Sequence, residues 1–145
     1  MERITTFSFW QKWLLAVAVI ITIFGVIMAF VSGTPLFDLF NRQIDPVFWG
    51  VNAVDASAKQ FQQWVYGILG ATMAGWGIFI ASVAHYPFRK KERWAWNCIA
   101  LGLGVWFILD TSLSYFHKVY FNVAFNTVLF ILAMLPVIFT RKDFD

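Results

Sequence analysis

The stretch WFILDTSLSYFHKVYFNVAFN, residues 106–126, decides the fold, because it joins two long apolar runs through almost no connection. His117 and Lys118 stand between the two runs, so the chain has to reverse direction close to residue 118. Helices joined by so short a connection lie side by side as a hairpin. The stretch therefore predicts two adjacent helices that run in opposite directions.

The composition indicates an integral membrane protein. Of 145 residues, 60% are hydrophobic, 20% are aromatic and only 13% are charged, and the mean hydropathy is +0.67. Soluble domains carry about 25% charged residues. A membrane crossing takes about 20 residues, so four crossings with short connections occupy residues 1–145 as a single domain.

Four apolar runs have the length of a membrane span, at about 13–31, 61–84, 94–116 and 119–139. Trp and Tyr concentrate near the ends of these runs, as expected for anchors at the membrane interface. The first run is too long for the apolar region of a signal peptide, which has about 7–15 residues, so it is interpreted as a retained span. We expect an all-α membrane protein built as an antiparallel four-helix transmembrane bundle.

The connection between the first two spans contains the stretch TPLFDLFNRQIDPVFWG, residues 34–50. Thr34 before Pro35 and Asp45 before Pro46 each have the pattern of a helix N-cap followed by proline at the first helical position. The apolar residues between them fall near helical spacing. We expect one or two short amphipathic segments that lie on the outer surface as a lid.

Basic residues predict the orientation, because Lys and Arg gather on the cytoplasmic side of membrane proteins. Placing both termini and the loop at 89–93 inside puts eight basic residues on that side and three outside. The inside set is Arg3, Lys12, Arg89, Lys90, Lys91, Arg93, Arg141 and Lys142, and the outside set is Arg42, Lys59 and Lys118. The expected location is the plasma membrane or a bacterial inner membrane, with cytoplasmic termini. The basic loop is interpreted as this topology signal, and no nucleic-acid partner is expected.

The second run contains closely spaced small residues, after an expected N-cap at Asp55. Small residues at spacings of four let helix backbones approach closely in lipid. The predicted packing seam consists of Gly67, Gly70, Ala71, Ala74 and Gly75. Its partner is a helix of the same chain, a second copy, or another subunit of a larger membrane complex.

Polar residues near the hairpin turn form two stripes. Trp106, Asp110 and Ser114 follow a helical spacing of four on the third span, and Asn122 and Asn126 do so on the fourth. Residues equally far from the turn lie at equal depth, which pairs Asp110 with Asn126 and Ser114 with Asn122. At 1.5 Å per residue, Asp110 lies about 12 Å below the outer turn. The spacing predicts a polar pocket in the outer half of the bundle.

Three further aromatic residues are predicted to line this pocket. Tyr66, together with Gln63, reaches the same depth on the second span. Trp76 and Trp106 lie deeper than an interfacial belt requires, and they are expected to form an aromatic floor.

Asp110 has two interpretations, which the sequence leaves open. A carboxylate inside a membrane is by default a functional group, such as a proton carrier, a cation ligand or a ligand anchor. Alternatively, Asp110 accepts hydrogen bonds from the neighbouring asparagines or serine and clamps the third and fourth helices together.

Catalytic and cofactor motifs are missing from the sequence. A membrane aspartyl protease needs a second intramembrane carboxylate, and no HExxH, P-loop or paired-carboxylate metal motif is present. The single cysteine, Cys98, excludes an intrachain disulfide. His85 and His117 end their spans on opposite sides, about 30 Å apart, which is too far for joint haem ligation. Enzymatic activity, metals and cofactors are therefore not expected.

The leading hypothesis is a small multi-pass protein that binds a lipid or hydrophobic small molecule in an outer-half pocket around Asp110. The first alternative is a non-catalytic accessory or scaffold subunit of a membrane complex. The second is a proton-coupled carrier in which Asp110 changes its protonation state.

Overall fold

Five α-helices make up most of the chain in the computed structural model, which describes residues 2–50 and 54–144. No strand occurs within these residues. The helices are α1 (Glu2–Val31), α2 (Asp38–Trp49), α3 (Ala56–Val83), α4 (Arg93–Phe116) and α5 (Tyr120–Thr140). Short 3-10 turns at Pro35–Phe37 and Arg141–Asp143 and a π-helical segment at Ala84–Phe88 complete the described elements.

Four of the five helices are long and apolar enough to cross a membrane, as the sequence predicts. Their candidate spans are Thr6–Val31, Ala56–His85, Arg93–Phe116 and Tyr120–Asp143. The helices extend beyond the expected apolar spans, since α1 begins at Glu2 and α3 at Ala56. Helical hydrogen bonding continues through the polar residues that flank each apolar run. The predicted cap of α3 is confirmed, since Asp55 Oδ1 accepts from the Ala58 N–H at 2.8 Å.

The lid contains one long helix, and the expected helix start at Asp45 is wrong. Asp45 and Pro46 lie inside α2, where proline removes only a single backbone N–H from the helix. Asp45 Oδ1 instead accepts from Gln62 Nε2 of α3 at 2.7 Å. Thr34 does precede a turn that begins with proline, but its hydroxyl donates back to the Val31 carbonyl at 2.8 Å.

Helices α1 and α3 pack along each other through small residues. A Cβ atom added to Gly70 would lie 2.5 Å from the Ala29 nitrogen and 2.5 Å from the Gly25 oxygen. A Cβ atom added to Gly25 would lie 2.5 Å from the Ala74 nitrogen. The two backbones therefore touch directly, and residue numbers fall along α1 as they rise along α3.

The contacting face of α3 differs from part of the predicted seam. Gly70 is buried at α1, and Gly67 lies at the edge of the contact, 3.7 Å from the Ala29 oxygen when given a Cβ atom. Ala71 is exposed, and a Cβ atom on Gly75 would meet nothing within 4 Å. Gly77, which the sequence analysis did not include, extends the contact. The face runs through Gly70 and Gly77 because α1 crosses α3 on that side.

The packed core lies at the end of the molecule where Phe7 and Phe144, near the two ends of the described residues, meet. The Phe88 ring lies 5.9 Å from the Phe7 ring and 4.7 Å from the Phe144 ring, centroid to centroid. Lys91 Nζ and Asp143 Oδ1 form an ion pair at 2.9 Å at the same end. Helix α4 packs along α5, and α1 also touches α5, whereas α3 and α4 touch at few positions. The other end, beneath the lid, is consequently open between α3 and α4.

A proline inside α5 explains one long-range hydrogen bond to α1. Pro136 lacks the N–H that would bond to the Leu132 carbonyl one turn earlier. The Trp13 indole nitrogen of α1 donates to this carbonyl at 2.9 Å. In a water-free surrounding, a carbonyl without a donor is unfavourable, so this bond ties α1 to α5.

Trp13→Phe is expected to lower the free energy of unfolding by about 1 kcal/mol, the usual contribution of one hydrogen bond. In a Pro136→Ala background, the alanine N–H can donate to the Leu132 carbonyl, so Trp13→Phe is expected to lower the free energy of unfolding by less. Unfolding in mixed micelles measures all four proteins of the cycle. Equal losses in the two backgrounds would show that the indole donor does not compensate for the proline.

Candidate functional site

The turn between α4 and α5 sets the geometry of the site. The Val119 N–H donates to the Ser114 carbonyl at 2.8 Å, and the Lys118 N–H donates to the Tyr115 carbonyl at 3.0 Å. These two bonds, with Lys118 in the left-handed region at φ 63°, form a Schellman motif that ends α4 sharply. Helix α5 then begins at Tyr120. So tight a connection leaves little freedom in how the two helices are aligned.

The aligned helices bring four polar side chains together as the polar cluster, which consists of Asp110, Ser114, Asn122 and Asn126. Both amide nitrogens, Asn122 Nδ2 and Asn126 Nδ2, donate to Asp110 Oδ1 at 2.9 Å. Asn122 Nδ2 also donates to Ser114 Oγ at 2.7 Å. The contacts between Asp110 and Asn126 and between Ser114 and Asn122 are the pairs predicted by counting from the turn.

The polar cluster links α4 to α5 and also satisfies its own donors. Ser114 Oγ lies 2.7 Å from the Asp110 carbonyl oxygen and 3.2 Å from Asp110 Oδ1, so its single proton serves these two acceptors. Asn126 Nδ2 lies 3.5 Å from Thr111 Oγ1 in addition to its bond to the carboxylate. Asn126 is 2% exposed, so its amide depends on these protein partners. The arrangement acts as a clamp between the two helices.

The polar cluster also forms part of the wall of a large cavity of about 880 Å³, which we call the main cavity. Side chains from α1, the lid, α3, α4 and α5 line it. Seven of the eight residues that the sequence analysis placed at the pocket are among them, all but Gln63: Tyr66, Trp76, Trp106, Asp110, Ser114, Asn122 and Asn126. The clamp therefore does not fill the space beside Asp110.

The predicted aromatic floor is present as a ring contact between α3 and α4. The Trp76 and Trp106 rings lie 5.4 Å apart at an interplanar angle of 43°. They bridge two helices that otherwise touch little, and the main cavity lies on the lid side of this contact. Tyr66 lines the opposite part of the wall, where its hydroxyl lies 3.4 Å from Gln62 Nε2.

Several lining residues were missed by the sequence analysis, and they are mostly apolar. They include Phe24 and Met28 of α1, Phe37, Phe40, Ile44 and Phe48 of the lid, Leu69 of α3, Leu109 and Leu113 of α4, and Phe125 and Leu129 of α5. Helical spacing in the lid indicated a common face for its aromatic residues. Nothing in the apolar run of α1, from residue 13 to residue 31, indicated which side of the helix faces the cavity.

Aromatic contacts and one hydrogen bond hold the lid over the main cavity. The Phe40 ring lies 5.9 Å from the Phe24 ring of α1 and 5.4 Å from the Phe121 ring of α5. At its far end, the Phe48 ring lies 6.2 Å from His117 at the turn. The bond from Gln62 to Asp45 fixes the lid to α3. The lid thus closes the cavity at the end of the molecule away from the packed core.

A side opening remains between α3 and α4. Leu69 of α3 and Leu109 of α4 line the cavity, yet 47% and 60% of their surfaces are exposed. Leu113, one turn further along α4, also lines the cavity and is 60% exposed. Because these exposed side chains are apolar, the opening is suited to contact with apolar surroundings.

A smaller, polar pocket of about 160 Å³ lies beside the main cavity and shares Tyr66 with it. Gln63, which we expected in the main cavity, faces this smaller pocket instead. The Asn41 side-chain oxygen in its wall is buried and accepts no hydrogen bond from the described residues.

Comparison of the chain with protein-family models, with curated proteins and with solved structures finds no match in any of the three.

Proposed function

We propose that this chain is a multi-pass membrane protein that binds a lipid or another hydrophobic small molecule in the main cavity, beside Asp110. In this proposal the four long helices cross the membrane as an antiparallel bundle, and the lid lies at the outer interface. Membrane lipids are then both the solvent of the protein and the first candidate ligands.

The observation that carries the proposal is the main cavity itself. Its volume of about 880 Å³ lies in the range of ligand sites, about 300–1,000 Å³. The wall is mostly aromatic and aliphatic, with one small group of polar side chains, which is the usual makeup of such sites. Close packing of protein interiors leaves few large voids without a use.

The distribution of charge supports the orientation. Both ends of the described chain and the segment around Lys91 meet at the packed end, where Lys91 pairs with Asp143. Most of the basic residues lie at this end, which we assign to the cytoplasmic side of a plasma or bacterial inner membrane. The main cavity then lies in the outer half of the membrane.

The alternative of a scaffold subunit receives less support from the packing. Gly70 and Ala74 already meet Gly25 and Ala29 of the same chain, which leaves Ala71 and Gly75 of the predicted seam open to another subunit. The space beside Asp110 is also open, whereas a purely structural bundle would gain stability by filling it.

Filling the main cavity is expected to weaken binding at least tenfold. Leu69→Trp/Leu109→Trp places two larger side chains in the side opening, where both leucines line the wall. The probe is dodecanol at a fixed mole fraction in lipid nanodiscs, and its occupancy is read by native mass spectrometry.

The matched control is Ile78→Trp/Leu101→Trp, which adds the same two side chains to the same two helices. Ile78 and Leu101 are 57% and 69% exposed and do not line the cavity. Occupancy in the control should equal that of the unmodified chain. Equal and measurable occupancy in the filled variant and the control would contradict the proposed function, and so would a failure of the unmodified chain to bind either dodecanol or dodecylamine.

A further inference from the structure

The two carboxylate oxygens of Asp110 are in different situations. Oδ1 accepts from Asn122 and Asn126 at 2.9 Å each and lies 3.2 Å from Ser114 Oγ. Oδ2 accepts no hydrogen bond from residues 2–50 or 54–144, and it is not fully buried. Since Asp110 lines the main cavity, Oδ2 is a carboxylate oxygen left accessible to a ligand.

The neighbouring donors are already engaged, so the cluster offers a ligand an acceptor. The Asn122 amide donates to Asp110 and to Ser114, and the Asn126 amide donates to Asp110 and lies within reach of Thr111. Each amide nitrogen carries two hydrogens, and the two acceptors near it account for both of them. The geometry favours a ligand whose polar group donates.

Within the described residues, the carboxylate also lacks a cation. The one ion pair there, Lys91 with Asp143, lies at the opposite end of the molecule. No lysine or arginine lines the main cavity, and His117 is its only basic side chain. A carboxylate in apolar surroundings is unfavourable unless a positive charge or donors balance it. The donors at Oδ1 supply part of this balance, and the ligand can supply the rest.

Aromatic rings near the carboxylate favour a positive charge as well. Trp106 lies one helical turn before Asp110 and contacts Trp76, and both rings line the main cavity. Indole faces attract ammonium groups. We infer, resting on the proposed function, that the ligand is a hydrophobic amine whose ammonium group binds Asp110 Oδ2 while its apolar part occupies the aromatic cavity.

The test uses three probes with the same C12 chain and different head groups: dodecylamine, dodecanol and dodecanoate. Each is added to nanodiscs of neutral lipid at the same mole fraction and at neutral pH, and native mass spectrometry counts bound copies. The unmodified chain should bind dodecylamine at least tenfold more tightly than dodecanoate, and more tightly than dodecanol.

Asp110→Asn removes the charge and keeps an oxygen for the donors of Asn122, Asn126 and Ser114. The variant should lose the preference for dodecylamine over dodecanol and dodecanoate. The control is Asp55→Asn, which removes a carboxylate outside the cavity and leaves an equally good N-cap for α3. It should bind all three probes as the unmodified chain does.

The outcomes separate the two proposals. Equal binding of the three probes by the unmodified chain, tighter binding of dodecanoate, or an undiminished amine preference in Asp110→Asn would overturn the amine inference alone. The ranking in the unmodified chain decides the inference even if the variant folds poorly. If the unmodified chain bound none of the three probes, both the amine inference and the proposed function would be overturned.

Discussion

Asn122→Leu/Asn126→Leu is expected to lower the free energy of unfolding by about 2–4 kcal/mol. The two asparagines supply both amide donors that Asp110 Oδ1 receives across the contact between α4 and α5. Hydrogen bonds to charged groups contribute about 1.5–3 kcal/mol each, and removing the donors leaves the carboxylate in apolar surroundings without compensation. Equilibrium unfolding in mixed micelles without added ligand gives the difference.

The control for this prediction adds Asp110→Leu to the double variant. Replacing all partners of a buried hydrogen-bonded group with apolar side chains is much less unfavourable than replacing only some of them, because no polar group is then left without a partner. The triple variant should therefore recover most of the lost stability. A triple variant that is no more stable than the double variant would mean that leucine packs poorly at 122 and 126 and that the hydrogen bonds are not the cause.

Gly70→Ala is expected to lower the free energy of unfolding by about 2 kcal/mol. The new methyl group would lie 2.5 Å from backbone atoms of Gly25 and Ala29, and backbone atoms cannot turn aside as a flexible side chain can. Helices α1 and α3 have to separate to admit it, and overpacking of this kind is unfavourable by about 1–3 kcal/mol. The same unfolding measurement applies.

Gly75→Ala provides the comparison on the same helix. A Cβ atom at Gly75 meets nothing within 4 Å, and alanine is the better helix former by about 1 kcal/mol. This variant should be as stable as the unmodified chain or slightly more stable. If the two alanine variants lost stability equally, the close approach of α1 to Gly70 would be refuted.

The polar cluster could be predicted from the sequence because it depends on one local feature. A short turn near residue 118 fixes which residues of the two neighbouring helices lie at the same depth, and helical spacing fixes which share a face. Asp110 and Asn126 were paired in this way, and their side chains lie 2.9 Å apart. Long-range information was not needed.

The remaining parts of the site depend on how distant helices rotate about their axes. Phe24 and Met28 line the cavity, but the run from residue 13 to residue 31 of α1 is apolar on almost all sides, and its sequence favours no face. On α3, several overlapping rows of small residues could each have faced a neighbour, and the position of α1 selects the row with Gly70. Pro46 suggested a new helix start, yet a proline can be tolerated within α2, where Asp45 bonds to Gln62 instead.

The side opening between α3 and α4 determines how the proposed ligand would be supplied. With the lid fixed by Asp45 and Gln62 and the opening walled by Leu69 and Leu109, the route into the cavity would lead, in the proposed membrane arrangement, from the hydrocarbon interior. The quantity that governs saturation is then the ligand's mole fraction in the bilayer, set by its partition coefficient. Diluting the sample with buffer would leave a strongly partitioning ligand in place, whereas adding empty vesicles would draw it out.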